Sequence, residues 1–531
     1  MVRVGLLAGV AWAAIVGLAA APTTAPQVLR YNMGTEPGTL DPTMATGVPA
    51  ATAIMNCFDG LVRTDPSGNE LIPRAAERWD ISPDGRTYTF YLREAVWSDG
   101  RPVTAHDFEY AYKRILDPSV AAEYALLLYY IEGAEEYNTG KAKDASRVGA
   151  KALDERTLEV RLRAPAPFFP RLLGHHSYMP LPRHVVEGNP NWAITPKTYV
   201  SNGPFVLSEW RHHDRLILKK NPRHWDAPNV ALDQLVLRMI ESTSTELAMF
   251  ETGELDVTYQ LPTESIRRLR STPEFRSRPW IATYYVCFNA QRHPFTDRRV
   301  RRALALAIDR RVIAEKICAG GERPALAFVP PSIRDADGRR DFRGVGGDLF
   351  EGLNVAKARQ LLAEAGYPGG RGFPSVAYVY NDDERHRKIA MVLQNMWKKN
   401  LGLTIDLRME EWKVFLTHRR QGDYDLCRHG WVGDYADPMT FLDLFITDSG
   451  LNDAHWSNAD YDRLIGAART ESDVAKRMVL LHRAESFLID EMPISPLFFY
   501  MLTYLEKPTV SGLVRTALAY TYFDRARITP K

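Results

Sequence analysis

This chain of 531 residues lacks long apolar runs beyond its first twenty or so residues, closely spaced cysteine pairs and any excess of charge of one sign. After residue 21 no segment offers about 18 uninterrupted apolar residues, so no membrane-spanning helix is expected in the mature chain and a soluble product is. Lys plus Arg number 67 against 65 for Asp plus Glu, a net charge of +2, which gives no support for nucleic-acid binding or a polybasic membrane patch. The four cysteines, Cys57, Cys287, Cys318 and Cys427, contain no Cys-x-x-Cys pair, which argues against a zinc ribbon or a thioredoxin-like centre. The standard signatures of metalloprotease, serine hydrolase and phosphate-binding loop are missing as well. Gly344-Val345-Gly346-Gly347 is too short for a dinucleotide fingerprint, and position 349 is Leu349. The adjacent pairs His175-His176 and His212-His213 do not converge easily on one metal ion. No metal, no cofactor and no enzymatic activity are expected.

What is present is an ordinary globular composition, 45% hydrophobic and 25% charged, in a chain too long for one core. Met1 to Ala21 reads as a secretory signal peptide: Arg3, an apolar stretch from Gly5 to Leu18, then Ala19-Ala20-Ala21. Pro22 disfavours cleavage directly before it, so the cleavage site is approximate. The nearest cysteine is Cys57, so no lipid attachment is expected, and export without a lipid anchor points to a periplasm. Thr104 and Asp107 stand in capping-box spacing before a helix with Phe108, Tyr112 and Ile115 on one face. Ile281 to Asn289 reads as a strong strand. Helices are expected over Asp297 to Ile317, Val355 to Ala365, Arg385 to Asn400, Trp412 to Arg420 and Asp473 to Asp490. With strands at Val376 to Tyr380, Leu403 to Met409 and Pro496 to Leu505, the second half reads as an α/β lobe with an open sheet.

The informative stretch is Arg428-His429-Gly430-Trp431-Val432-Gly433-Asp434-Tyr435-Ala436-Asp437-Pro438. It follows a short apolar run, Tyr424 to Cys427, read as a strand that leaves the sheet at a glycine-loosened turn. Arg, Trp and Asp within seven residues at a strand end suit a ligand with an amine at one end and a carboxylate at the other. They also suit a surface turn with a satisfied charge pair and a core Trp, the reading that spacing alone favours. On the helix from Trp412, the residues Trp412, Phe415, Leu416 and Arg419 share a face. Arg419 is then either a rim residue whose stem covers the core or a buried cation awaiting a carboxylate. Arg419 and Arg428 would offer two planar forks for one carboxylate.

Gly430 to Pro438 resembles the GW-x-x-DY-x-x-P element of the oligopeptide-binding proteins of ABC importers, the family 5 extracytoplasmic solute-binding proteins. Trp79 to Phe108, with its Ser82-Pro83-Asp84-Gly85 turn and Thr104-Ala105, resembles another stretch specific to that family. The resemblance covers essentially the whole mature chain. It implies an α/β, two-lobed periplasmic binding protein fold of type II, cluster C, with an extra insertion domain. The domains implied are 22–58, 184–280 and 496–531 for a discontinuous first domain, 59–183 for the insertion, and 281–495 for the α/β lobe.

The resemblance also implies roles. Asp434 matches the residue that holds a peptide's ammonium group. Trp431 and Trp412 match two Trp residues flanking a side-chain pocket, and Gly430 a backbone contact. Arg419, Arg428 and His386 match groups that receive the peptide carboxylate at different ligand lengths. Asn381, Val48, Tyr124 and Tyr500 match further pocket-lining positions. Cys287 and Cys318 stand where an acidic residue and a Lys line the pocket; they form either a local disulfide or two buried thiols. The family's disulfide positions match Ala282 and Val432, so that bridge is absent. The implied partners are an oligopeptide with free termini and the membrane subunits of an ABC permease, with the protein a monomer. The same scaffold could instead take murein tripeptide, an opine or a metal chelate; a secreted peptidase is the alternative of another class.

Overall fold

The computed structural model describes residues 26–447 and 449–529; the signal peptide expected over Met1 to Ala21 lies outside the described residues. Three main sheets organise the chain. The first orders its strands Val28–Asn32, Gln234–Arg238, Arg215–Lys220 and Phe205–Arg211, so the chain start pairs with strands some two hundred residues on. The second is antiparallel: Ala76–Ile81, Thr87–Leu92, Thr157–Arg161 and Ala150–Ala152. The third is mixed, in the order Arg323–Pro324, Ile494–Leu505, Phe275–Phe288, Leu426–Val432, Ala377–Asn381 and Asp406–Glu410. Among the described residues no helix is long and apolar enough to cross a membrane.

Local sequence explains many of the elements. Thr104 and Asp107 form the expected capping box on the helix Ala105–Ile115, with the Thr104 N–H donating to Asp107 at 2.8 Å. Phe108, Tyr112 and Ile115 are buried, so the cap and the apolar face agree on one register. The helices Val355–Glu364, Glu384–Leu401 and Val474–Glu491 fall where the 3.6-residue periodicity places them, each with an Asn or Asp cap accepting a backbone N–H. Gly402 ends the second of these in the left-handed region, at φ 75°, a conformation glycine adopts without steric cost.

Three expectations are corrected. The long helix over Asp297 to Ile317 is broken: Arg298–Leu306 stops, and a wider helical segment, Val312–Cys318, follows. Asp309 accepts the N–H groups of Arg311 and Val312, which caps a new start. Buried Arg310 donates to the carbonyls of Pro496, Ala305 and Ile308 and fixes the break against the sheet. Leu255-Asp256-Val257, for which the sequence also predicts a short strand, makes only isolated bridges, from Val257 to Tyr31 and Glu506.

The third correction concerns the site. The strand expected to end near Cys427 runs through Gly430 to Val432. It is held along its length by seven paired residues of Phe275–Phe288, and on the other side by Ala377–Asn381 at Leu426 and Cys427 only. That ladder overrides the loosening effect of the glycine. Ala282 stands directly opposite Val432, so the two positions matched to the family's disulfide are cross-strand neighbours here without a bridge.

Candidate ligand-binding cleft

Successive side chains on a strand point to opposite faces. Extending the strand to Val432 therefore divides the informative stretch in two. Arg428, Gly430 and Val432 line a cavity of about 310 Å³. His429 lies on the other face, stacked on Tyr285 at 4.6 Å with an interplanar angle of 8°; Trp431 shares that alternation. The cavity is closed by residues from three parts of the chain. Tyr259, Gln260 and Thr263 come from the segment before the long strand. Arg385 and His386 come from the first turn of Glu384–Leu401. Trp280, Tyr500, Thr503 and Arg515 complete it.

Arg428 is buried, and its Nε donates to Asn381 Oδ1 at 2.7 Å. Its guanidinium lies 5.4 Å from the ring centroids of both Trp412 and Phe415. Among the described residues it has no carboxylate partner within 4.0 Å. Tyr500 faces Gly430 closely: a Cβ there would stand 3.0 Å from the Tyr500 hydroxyl. Burial pushes the Tyr500 phenol up to about 12, with Arg428 and Arg385 pulling the other way. Burial holds His386 well below the usual imidazole range, and Arg428 and Arg385 lower it further. His386 is therefore a neutral imidazole, and its buried Nδ1 lacks a hydrogen-bond partner.

Asp434 lies just beyond the cavity, two residues after Val432 and partly accessible. Its carboxylate receives only the Thr440 hydroxyl, at 3.5 Å, and no cation among the described residues pairs with it. Desolvation pushes its carboxyl up to about 7, with the charge of Asp443 adding to the shift. The phenols of Tyr124, Tyr178 and Tyr520 are raised by burial and by the Asp434 charge. His175 joins these rings into one aromatic wall, its ring centroid 4.4, 5.7 and 6.3 Å from those of Tyr124, Tyr178 and Tyr520. Ala519, next to Tyr520 in the chain, lines the cavity. A lone carboxylate in such a setting gains most from a cation that arrives with a ligand.

The loop carrying Asp434 is pinned from behind. Asp437 accepts two hydrogen bonds from Arg477, at 2.7 and 2.8 Å, with both side chains 2% exposed. Tyr435 stacks on Phe168 at 5.3 Å, and Arg477 covers the same Phe168 ring at 4.8 Å. Asp437 Oδ1 also accepts the Met439 N–H. The site carboxylate is thereby held on a rigid turn.

Several expected site residues lie elsewhere. Arg419 is not an open fork: its Nε is 2.7 Å from Asp453, which also accepts from His429 at 2.9 Å. Asp453 neutralises it, so the pair Arg419 and Arg428 is corrected to Arg428 alone. Cys287 and Cys318 form no disulfide; all four cysteines are buried thiols. Cys287 lies opposite Cys427 in the ladder, near the Tyr424 hydroxyl at 3.5 Å, and does not line the cavity. Cys318 lies near Arg385 and Glu322, and burial pushes its thiol up to about 12. Trp412 is 45% exposed, stacked on Phe415. Trp431 is half-buried, with an unpartnered indole N–H. Asn381 reaches the cleft through Arg428. Val48 is half-buried in the first turn of Gly47–Cys57, where its carbonyl accepts from Thr52. Sequence reading missed Arg385, Arg515 and the Tyr178–Tyr520 wall. The only signal for Arg385 was its place beside His386.

A family model described as bacterial extracellular solute-binding proteins, family 5, matches residues 70–453. The chain belongs to that family. It is 37% identical over 509 residues to the oligopeptide-binding protein OppA of Bacillus subtilis, covering 94% of this chain and 92% of that one. It is 35% identical over 492 residues to the periplasmic murein peptide-binding protein MppA of Escherichia coli, covering 92% of this chain and 90% of that protein. Among solved structures, the Escherichia coli murein tripeptide binding protein MppA superposes with a TM-score of 0.84 at 33% identity, over 96% of this chain and 99% of that one. Haemophilus influenzae OppA in complex with RPPGFSPFR gives 0.82 at 32% identity, over 96% and 100%. The fold of this family 5 chain is thus the mixed α/β, two-lobed type II fold, and its curated relatives are binding proteins.

Proposed function

We propose that this protein captures short peptides with free termini between its two lobes and delivers them to an ABC-type permease. One observation carries the reading: an unpaired carboxylate, Asp434, and an uncompensated guanidinium, Arg428, stand at opposite ends of one stretch of chain. Six residues at ~3.3 Å each separate their backbones by at most about 20 Å. An extended peptide covers ~3.3–3.6 Å per residue, so about three to five residues fit between them. The ammonium group goes to Asp434 and the α-carboxylate to Arg428. The peptide backbone pairs as an added strand, with Gly430 admitting close approach. The names and peptide complexes of the relatives support the same substrate class.

In this reading the lobes divide as the resemblance implies: 22–58, 184–280 and 496–531 for one, with the insertion 59–183, and 281–495 for the other. Closure is driven by the ligand's preference for the closed state. The protein acts in the periplasm as a monomer and binds without chemical turnover.

Native mass spectrometry of the purified protein, before and after mild denaturation, tests this. Co-purifying peptides of about three to five residues support the reading. A single defined non-peptide mass overturns it.

A further inference from the structure

Two guanidiniums, not one, face the cleft without a carboxylate. Arg385 lines the same cavity as Arg428. Both cations line it together with His386 and Tyr500, and the fields of both act on those two neutral groups. Arg428 at least donates to Asn381; among the described residues Arg385 has neither a hydrogen bond nor an ion pair.

Two acids nearby are otherwise engaged, and a third stands more than 4.0 Å from Arg385. Asp383 caps the helix, accepting the His386 N–H at 3.0 Å. Glu384 pairs with Lys388 at 2.7 Å. Glu322 accepts the Gly320 N–H at 2.7 Å through one oxygen, while its other oxygen is buried without a partner. Burial holds the Glu322 carboxyl above the usual range despite the attraction of Arg385. Arg515, the third guanidinium on the cavity wall, donates to the carbonyls of Thr258 and Tyr259.

A peptide with neutral side chains brings one carboxylate to this end of the cleft. That balances Arg428 and leaves Arg385 desolvated on closure and unpaired, which is costly. A ligand with two carboxylates at that end balances both. Resting on the peptide reading, we infer that Arg385 is a specificity-determining residue that takes a second, side-chain carboxylate, so the protein selects short peptides carrying an acidic residue at the carboxyl end. The planar fork suits a carboxylate held in two hydrogen bonds.

Isothermal titration of the purified protein with Ala-Ala-Ala, Ala-Ala-Gln and Ala-Ala-Glu tests the inference, in the native protein and in Arg385→Gln. The Glu and Gln peptides match in size and differ in charge. The native protein should bind Ala-Ala-Glu about tenfold or more tighter than Ala-Ala-Gln. In Arg385→Gln the ratio should fall to within about twofold, with Ala-Ala-Ala bound at least as well as before. Arg385 has no partner in the peptide-free structure, so the variant should unfold at the native temperature. Equal binding of the Glu and Gln peptides by the native protein overturns the inference, and so does a preference that survives in the folded variant. In both cases Ala-Ala-Ala still binds and the peptide reading stands. If none of the three peptides binds, the peptide reading itself has failed.

Discussion

The raised carboxyl of Asp434 makes peptide affinity depend on pH in a definite direction. With an apparent value of about 7 in the peptide-free protein, the carboxylate that an ammonium group needs is half formed at pH 7. Well below that value each unit should weaken tri-alanine binding about tenfold, because a proton must leave first, and the loss between pH 7 and pH 5 should be about fiftyfold, or ~2.3 kcal/mol. Above ~8 the peptide's own α-amino group loses its proton, so the affinity should fall again. Titration calorimetry from pH 5 to pH 9 should give a flat-topped curve with its maximum between about 7 and 8. His176 is pushed down to about 4, and His386 and His175 lie well below the usual range, so these histidines do not produce the acid limb. Asp443 and Glu246 are pushed up to about 6 and about 7, and Asp434→Asn separates their contributions. The unfolded aspartate titrates near ~3.9, so between that value and about 7 the folded peptide-free protein holds more protons. The contribution of Asp434 to its stability therefore declines as pH rises through that window, and a bound ammonium reverses the trend. A dissociation constant that stays level from pH 7 to pH 5, or an acid limb that persists in Asp434→Asn, refutes this assignment.

Other substitutions probe the frame of the site. Arg428→Gln removes the α-carboxylate partner and should weaken tri-alanine binding by about 2–5 kcal/mol, with melting unchanged to within about 1 kcal/mol of stability. Asp437→Asn leaves Arg477 charged and buried and should cost about 3–5 kcal/mol of stability, seen as a lower denaturation midpoint; a midpoint equal to the native one would show that the pair does not pin the loop. Gly430→Ala puts a Cβ 3.0 Å from the Tyr500 hydroxyl and against the ligand's path. It should lower peptide affinity more than stability, and unchanged affinity would place the peptide backbone elsewhere.

How much the sequence disclosed varied with how local the cause was. The capping box at Thr104, the cap at Asp383 and the stop at Gly402 depend on neighbours a few residues away, and sequence spacing reveals them. The strand through Gly430 depends on its pairing with Phe275–Phe288, about 150 residues earlier in the chain, so the glycine looked like a turn. The break after Leu306 is fixed by Arg310 reaching carbonyls of Ile494–Leu505, which no local pattern signals. Asp434 and Arg428 stood out because one short stretch carries both. Arg385 was hidden in the charged run Asp382-Asp383-Glu384-Arg385, which resembles a solvated loop. Arg419 looked open because Asp453, which neutralises it, is 34 residues away in the chain. Cys287 was matched to the pocket by resemblance, whereas its register opposite Cys427 exists only in the assembled sheet.

The central claim is that Asp434 holds the ammonium group of a peptide, and a comparison of tri-alanine with N-acetyl tri-alanine at pH 7.5 (roughly the expected optimum) tests it most directly. Acetylation leaves the Asp434 carboxylate without a cation and should weaken binding by about 2–5 kcal/mol, roughly thirtyfold or more. Equal affinity for the two peptides would contradict the account.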